Sequence, residues 1–426
     1  MGHIIGKDIY KNLGEKIDNL TVRVPWNESL YLILKELYSM EEADVVVKMP
    51  YGLADLDKIA KVTEYEKTKL QKILDSLCSK GLVVDIWRGD KYIYMISPMV
   101  VGIFEFTLMR TGEDIDIKKW AGLLNDYIKK DDSFFVANFG DDQKISIGRT
   151  LPHEEVISSS GYVEVMNYEK ATSIIEAANK YSIGLCACRR KASTLGEKEC
   201  DVPVDTCASF DNAADYLIRH DMAKEVSKTE MLENLAISKK SGLVLHADNV
   251  QRRVSFICSC CGCCCAVLLG IKKYGCPNVV VTSTFIANVD EDTCVGCGKC
   301  SKACPINIIE MIPIENPKTK KKKEPKIDTS ICLGCGVCAL QCKTKALKLV
   351  KREKRVIHPE TTFERIILQC LERGTLQNMI FNNPQDMTHK FMRGFIGGFL
   401  KLPPVKKALM SDMLRSSFLS SIKLAM

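Results

Sequence analysis

From Ser29 the apolar positions recur every three or four residues, in SLYLILKELYSMEEADVVVKMP, the spacing of helices with one buried face. Residues 1–27 read as a lead-in segment. A short helix is predicted over Leu56 to Lys61. Thr63 and Glu66 then form a capping-box pattern at the start of a second helix, which stops at Lys80-Gly81. Beyond it the period changes to two. LVVDIW and KYIYMIS alternate across Arg88-Gly89-Asp90 and predict a hairpin. In the connecting stretch, residues 112–160, IKKWAGLLNDYIKK reads as one helix and DDSFFVANFGDDQKISIG as turns with short strands. NYEKATSIIEAANKYSIG reads as a helix ending near Gly184. Helices are expected to dominate from there to Lys240, with another capping-box pattern at Thr229. NVVVTSTFIANV reads as a buried strand, and residues 353–426 as a helical tail broken at Pro403-Pro404.

Helix, turn, helix, hairpin over residues 28–111 resembles the winged-helix order. A DNA reader needs a basic surface, but Glu28 to Lys91 holds 10 basic and 12 acidic residues. The second helix sets Lys67, Lys69 and Lys72 beside Glu64, Glu66 and Asp75, and the wing sets Arg88 and Lys91 beside Asp90. The expected role is docking protein or dimerising, and nucleic acid is not an expected partner.

Chemistry enters with sulfur. The 426 residues contain 21 cysteines. No apolar signal core opens the chain and no apolar run reaches bilayer length, so a reducing cytoplasm, in which thiols bind metal, is the expected setting. CVGCGKCSKACP places Cys294, Cys297, Cys300 and Cys304 at spacings of two, two and three residues, and CLGCGVCALQCK repeats this at Cys332, Cys335, Cys338 and Cys342. That is the spacing of two-cluster bacterial ferredoxins, in which three thiolates wrap one 4Fe–4S cube and the fourth crosses to the other. One cluster is therefore assigned to Cys294, Cys297, Cys300 and Cys342, the other to Cys332, Cys335, Cys338 and Cys304. Paired zinc ribbons also use the C-x2-C unit, but two full quartets argue against them. The loop between the runs carries six lysines from Lys318 to Lys326, read as a solvated tip in preference to a patch for an acidic redox partner.

Upstream lie two more groups. Cys186, Cys188, Cys200 and Cys207 suffice for a further cubane or a zinc site, with Arg189 and Arg190 beside them to offset thiolate charge. FICSCCGCCCAVLLG packs Cys258, Cys260, Cys261, Cys263, Cys264 and Cys265 into eight residues, with Cys276 beyond. Adjacent cysteines bond one another poorly. One cubane with spare thiols, or a larger cluster, fits the count. His246 offers a ligand or a donor to sulfur, although an ordinary polar residue near the surface is the preferred reading. Cys78 and Cys370 read as small buried hydrophobes.

The order C-x-C-R, a C-x6-C pair, ICSCCGCCC and then a dicluster ferredoxin resembles a family of anaerobe iron–sulfur proteins with a winged-helix-like N-terminus. The resemblance spans Glu28 to Met426 and implies electron transfer. The expected fold class is α+β multidomain: a winged-helix-like domain (28–111), a connecting segment (112–160), a helical cysteine-rich domain (161–288), a two-cluster ferredoxin-like domain (289–352) and a helical tail (353–426). The expected cofactors are two ferredoxin-type 4Fe–4S clusters and one or two further iron–sulfur clusters. No P-loop or dinucleotide fingerprint appears, so a flavin or nicotinamide belongs on a redox partner, a flavoprotein or oxidoreductase subunit. The expected function is an electron-transfer protein or subunit of an anaerobic redox complex. The alternatives are a reductase with the six-cysteine cluster as its active site, and a redox-sensing DNA-binding regulator. The tail, with aromatic, methionine and basic residues at helical spacing, suits peripheral membrane contact or, preferably, packing on the body or on a partner subunit. Oligomerisation is compatible with the sequence.

Overall fold

The computed structural model describes residues 8–112, 115–130, 132–140, 145–158, 165–314, 321–353, 356 and 358–425. They form two compact units. One comprises residues 1–145, 219–222 and 363–426, the other 146–218 and 223–362.

In the first unit the helices Glu28–Leu37, Met40–Lys48, Leu56–Thr63 and Lys67–Ser79 bury Leu30, Ile33, Leu34, Val45, Val46, Ile59, Leu70 and Leu74. Each such side chain contributes about 1.5–3 kcal/mol on leaving water. The lead-in segment is not featureless, since Ile9–Asp18 is a helix that buries Leu13 and Ile17. Ser39 and Glu42 make a full capping box. The cap of Lys67–Ser79 is Glu66, whose carboxylate accepts from the amides of Thr68 and Lys69. Thr63 instead closes the preceding helix, its hydroxyl donating to the Ile59 carbonyl at 2.8 Å. Strands β1 (Ala54–Asp55), β2 (Val83–Arg88) and β3 (Lys91–Ile96) form an antiparallel sheet in the order β1-β3-β2, with Arg88 opposite Lys91 at the hairpin.

Ile117–Lys129 is the expected helix. Ser133–Phe139 is a helix where turns with short strands were expected, because Phe134 packs edge-on against Phe135, Phe139 and Tyr127. The tail helices Thr362–Arg373, Leu376–Ile380, Met387–Leu400, Pro403–Leu409 and Asp412–Ala425 share a core containing Cys370, Ile367, Leu371 and Leu376. Leu400 joins that core, yet Met387, Phe391, Phe395 and Phe399 of the same helix are exposed at i, i+4 spacing. Packing on the body therefore does not cover this face. Among the described residues no helix is long and apolar enough to cross a membrane.

The second unit corrects the helical expectation for the cysteine-rich region. Strands β4 (Gly148–Leu151), β5 (Tyr181–Gly184), β6 (Cys207–Phe210), β7 (Ala223–Glu225), β8 (Val244–Asp248) and β9 (Phe256–Cys260) make one antiparallel sheet, ordered β4-β8-β9-β6-β5-β7. These strands are short, and β8 is buried along its whole length, so the alternation that betrays a half-buried strand is missing. The helix expected to reach Gly184 ends at Ala177. The helices Ala171–Ala177 and Lys228–Lys240 pack Ile174, Ile175, Met231 and Leu235 against Phe210, Leu245, Ala247 and Ile257. The capping box of the latter is Ser227 with Glu230, two residues before Thr229.

A smaller substructure follows in the same unit. Strand β10 (Phe285–Val289) pairs antiparallel with β13 (Leu347–Lys351), and β11 (Ile309–Pro313) with β12 (Lys323–Ile327). Only the second half of NVVVTSTFIANV is a strand, and Val281 makes an isolated parallel bridge to Arg149. The lysine-rich tip falls partly on residues 315–320, outside the described residues.

Candidate metal centres

The two cysteine runs of the smaller substructure fold alike. Each has a glycine at φ +67°, Gly296 and Gly334, between its first two cysteines. A Cβ would stand 2.2 Å from the Lys323 carbonyl oxygen at Gly296 and 2.0 Å from that of Phe285 at Gly334. Backbone approach and left-handed conformation together leave room only for glycine. Gly298 and Gly336 then open the short helices Lys299–Ala303 and Val337–Leu340, which carry the third cysteine of each run.

The thiols surround two cavities. Cys294, Cys297, Cys300 and Cys342 line one. Cys304, Cys332, Cys335 and Cys338 line the other. The fourth cysteine of each run thus faces the cavity of the other run. The surroundings differ: Cys297 is exposed in the first set, whereas all four of the second are buried. Burial, then repulsion from neighbouring thiols, pushes Cys335 up to about 12 and Cys338 well above its ordinary value. Thiols so arranged give up their protons only to a cation that replaces them. A sulfur-only donor set around a cavity fits an iron–sulfur cluster.

The upstream thiols are regrouped by the sheet. The two sequence-defined groups interleave. Cys200 joins Cys261, Cys263 and Cys264. Cys258 contacts Cys207, and Cys265 contacts Cys188 and Cys260. Cys186 is close enough to raise both Cys258 and Cys260 through its charge. Two assemblies result: a quartet of Cys200, Cys261, Cys263 and Cys264, and a six-thiol group of Cys186, Cys188, Cys207, Cys258, Cys260 and Cys265. The Cys276 thiol points to the Tyr274 carbonyl at 3.7 Å. Within the six, contact with Cys207 and burial hold Cys258 well above its ordinary value, and desolvation pushes Cys186 up to about 12. In the quartet, hydrogen bonding from Cys264 draws Cys261 down to about 5, against burial.

His246 belongs to this region. Expected near the surface, it is 4% exposed on β8, opposite Cys258 in the β8–β9 register. Its ring lies with the thiols of Cys260 and Cys265, every donor atom within 4.8 Å of the others, and its buried Nε2 has no hydrogen-bond partner. Burial lowers its pKa to about 4, so the ring is neutral and able to ligate. Arg189 is fully buried between the assemblies. It donates to the Pro203 carbonyl at 2.6 Å, to Thr206 Oγ1 at 2.8 Å and to the Ser259 carbonyl. Against burial, Cys186, Cys261, Cys260 and Cys200 hold it charged. Arg190, expected to act beside it, is instead lowered by desolvation.

In the first unit Cys78, buried as expected, lies with Asp85 and His220. Asp85 already accepts from Arg219 at 2.7 Å and from His220 Nε2 at 2.8 Å. Burial opposes its ionisation, but these two donors hold it down to about 2. This trio is an ion-pair knot more than a metal site.

Residues 293–346 match the family described as a 4Fe-4S dicluster domain. No curated protein and no solved structure matches the chain.

Proposed function

We propose that this chain is an iron–sulfur electron-transfer protein, working as a relay or as a relay subunit of an anaerobic redox complex. The observation that carries the reading is the crosswise sorting of eight thiols around two cavities within the segment that matches the dicluster family. On this reading Cys294, Cys297, Cys300 and Cys342 hold the outer 4Fe–4S cluster, and Cys304, Cys332, Cys335 and Cys338 the inner one. The clusters supply one-electron steps. The chain supplies thiolates, backbone amides and a buried inner site. Exposed Cys297 makes the outer cluster the point of exchange with a redox partner, a flavoprotein or oxidoreductase subunit. The six-thiol group with His246 holds a further cluster, to which only one of His246, Cys260 and Cys265 supplies a ligand, since their donor atoms lie within 4.8 Å of one another. The turn at Gly262 brings it near the inner cluster, since a Cβ on Gly262 would lie 2.7 Å from the Pro305 carbonyl, one residue past Cys304.

A site with six thiols and a histidine offers more ligands than a cubane takes. That surplus supports the reductase reading, with this group as the active site. Ligand-induced change in the EPR signal of that cluster, and none in the ferredoxin signals, would select it. The regulator reading is disfavoured. Over residues 28–111, whose helix and hairpin order suits a winged helix, Lys67 pairs with Asp57 at 2.7 Å, Lys69 with Glu41, and Lys91 with Asp55 at 2.5 Å. Phosphate would meet each of these cations beside a carboxylate, in a stretch with more acidic than basic residues.

The exposed stripe Met387, Phe391, Phe395 and Phe399, with exposed Lys390 beside it, supports peripheral membrane contact by the tail. Flotation of the full chain with anionic vesicles should be lost in the double variant Phe391→Ser, Phe395→Ser. Unchanged flotation would remove this part of the proposal. For the relay itself, dithionite-reduced protein should show two interacting 4Fe–4S signals by EPR, and Cys338→Ser should abolish the interaction. A reduced spectrum with no 4Fe–4S signal would refute the relay.

A further inference from the structure

The quartet Cys200, Cys261, Cys263 and Cys264 is tighter than a cubane permits. Its four sulfur atoms all lie within 4.8 Å of one another, and those of Cys263 and Cys264 are 3.5 Å apart. Thiolates bound tetrahedrally to one zinc ion, with bonds of about 2.3 Å, are about 3.8 Å apart. Thiolates on a cubane each bind a different iron, and the intervening irons and sulfides force them much farther apart. The same chain displays the wider arrangement. The ferredoxin-type quartets line two cavities, and among the described residues their thiols form no comparably tight group.

The local fold suits a single ion. Cys261 to Cys264 form one turn, closed by the Cys265 amide donating to the Cys261 carbonyl at 3.2 Å. Cys200 comes from the loop after the helix Ala187–Thr194. Cys261 and Cys264 are buried, and Ala192, Leu243 and Val202 pack around the sulfurs. Four protein thiolates leave no coordination position for a substrate, which is the pattern of a structural zinc site. Such a site carries two net negative charges, and the buried Arg189 guanidinium lies beside it. Lys272 also caps the turn, donating to the Gly262 carbonyl at 2.7 Å.

We infer that Cys200, Cys261, Cys263 and Cys264 bind one redox-inert zinc ion, separate from every iron–sulfur cluster of the chain. This deepens the reading of the upstream thiols as metal ligands. The ion ties the loop at Cys200 to the turn at Gly262, and that turn rests on Pro305. Zinc therefore fixes the separation between the six-thiol group, which takes Cys260 and Cys265 from either side of the turn, and the inner ferredoxin site at Cys304.

The test uses full-length protein purified without oxygen, with zinc, iron and acid-labile sulfide counted on one sample. One zinc per chain is expected, with four sulfur neighbours at about 2.3 Å and no iron shell at the zinc absorption edge. Cys200→Ser and Cys264→Ser should each lose the zinc and keep the ferredoxin EPR signals. Should either variant fail to fold, cells grown with cobalt give wild-type protein whose thiolate-to-cobalt(II) charge-transfer bands report the same tetrahedral site. Zinc well below one per chain overturns the inference, as does loss of about four irons on Cys200→Ser, or one iron in a four-sulfur site. The electron-transfer reading fails separately: its failure is missing ferredoxin iron, whatever the zinc count.

Discussion

The dicluster segment and the cysteine-rich sheet lie in one unit, and both gather thiols by the handful, but they recruit them differently. In the dicluster segment three of the four sulfurs around each cavity come from one short run, and only the fourth crosses over. In the sheet region strand pairing brings together Cys207 of β6, Cys258 and Cys260 of β9 and His246 of β8, and Cys188 joins them from the helix Ala187–Thr194, which Cys186 caps. A loop-built site survives as long as its loop does. A sheet-built site depends on register, and a slip of one residue would send His246 and Cys258 to the opposite face.

Removing a ligand gives the largest test of that contrast. Cys335→Ala should empty the inner ferredoxin site, with loss of about four irons per chain, and should leave the six-thiol cluster filled. Iron counts with EPR check this, and loss of all iron would show that the regions do not load independently. Next comes Gly334→Ala, where the new methyl collides with the Phe285 carbonyl. It should lower iron retention at the inner site with every ligand intact, and an unchanged iron count would contradict the glycine argument. A subtler change addresses the sheet. Histidine ligation raises a cluster's potential relative to thiolate, so His246→Cys should lower the potential of the six-thiol cluster and leave the ferredoxin potentials alone. Redox titration followed by EPR decides it, and no shift would remove His246 from the ligand set.

The smallest effect calibrates the others from outside both regions. Asp85→Asn should cost about 2 kcal/mol, the value of holding Asp85 at about 2 against its ordinary 3.8. The folded-state pKa is depressed, so this contribution is complete above about pH 4 and is lost as pH falls through about 2. Urea titrations of wild type and variant at neutral pH, and again in acid, should converge only in acid. Iron content should not change at neutral pH.

The same contrast explains what could be read before the structure. Spacing alone predicts that Cys304 and Cys342 cross over, as they do around the two cavities, because the cysteines of each run are nearly contiguous and the geometry between them is short. The helices Glu28–Leu37, Ile117–Lys129 and Lys67–Ser79 announce themselves by period. The six-stranded sheet does not, because β5 and β6 are four residues each and β8 is buried on both faces. Without the sheet, nothing in the sequence brings Cys200 to Cys261 or turns His246 inward. A usable hint did exist: VLHAD and FICSC are strand-length runs flanked by turn residues, and pairing them sets His246 across from Cys258. Thr63 and Thr229 mislead for a smaller reason. Thr63 stands three before Glu66, but Glu66 itself takes the cap, and Thr229 has Leu232 three residues on, so Ser227 with Glu230 makes the box instead.

The central claim is that iron, bound as clusters, occupies these thiols. Anaerobic quantification of iron and acid-labile sulfide per chain tests it most directly. The account predicts about twelve of each, eight for the ferredoxin pair and four for a cubane in the six-thiol group. Protein that is colourless, with iron and sulfide both near zero, would contradict it.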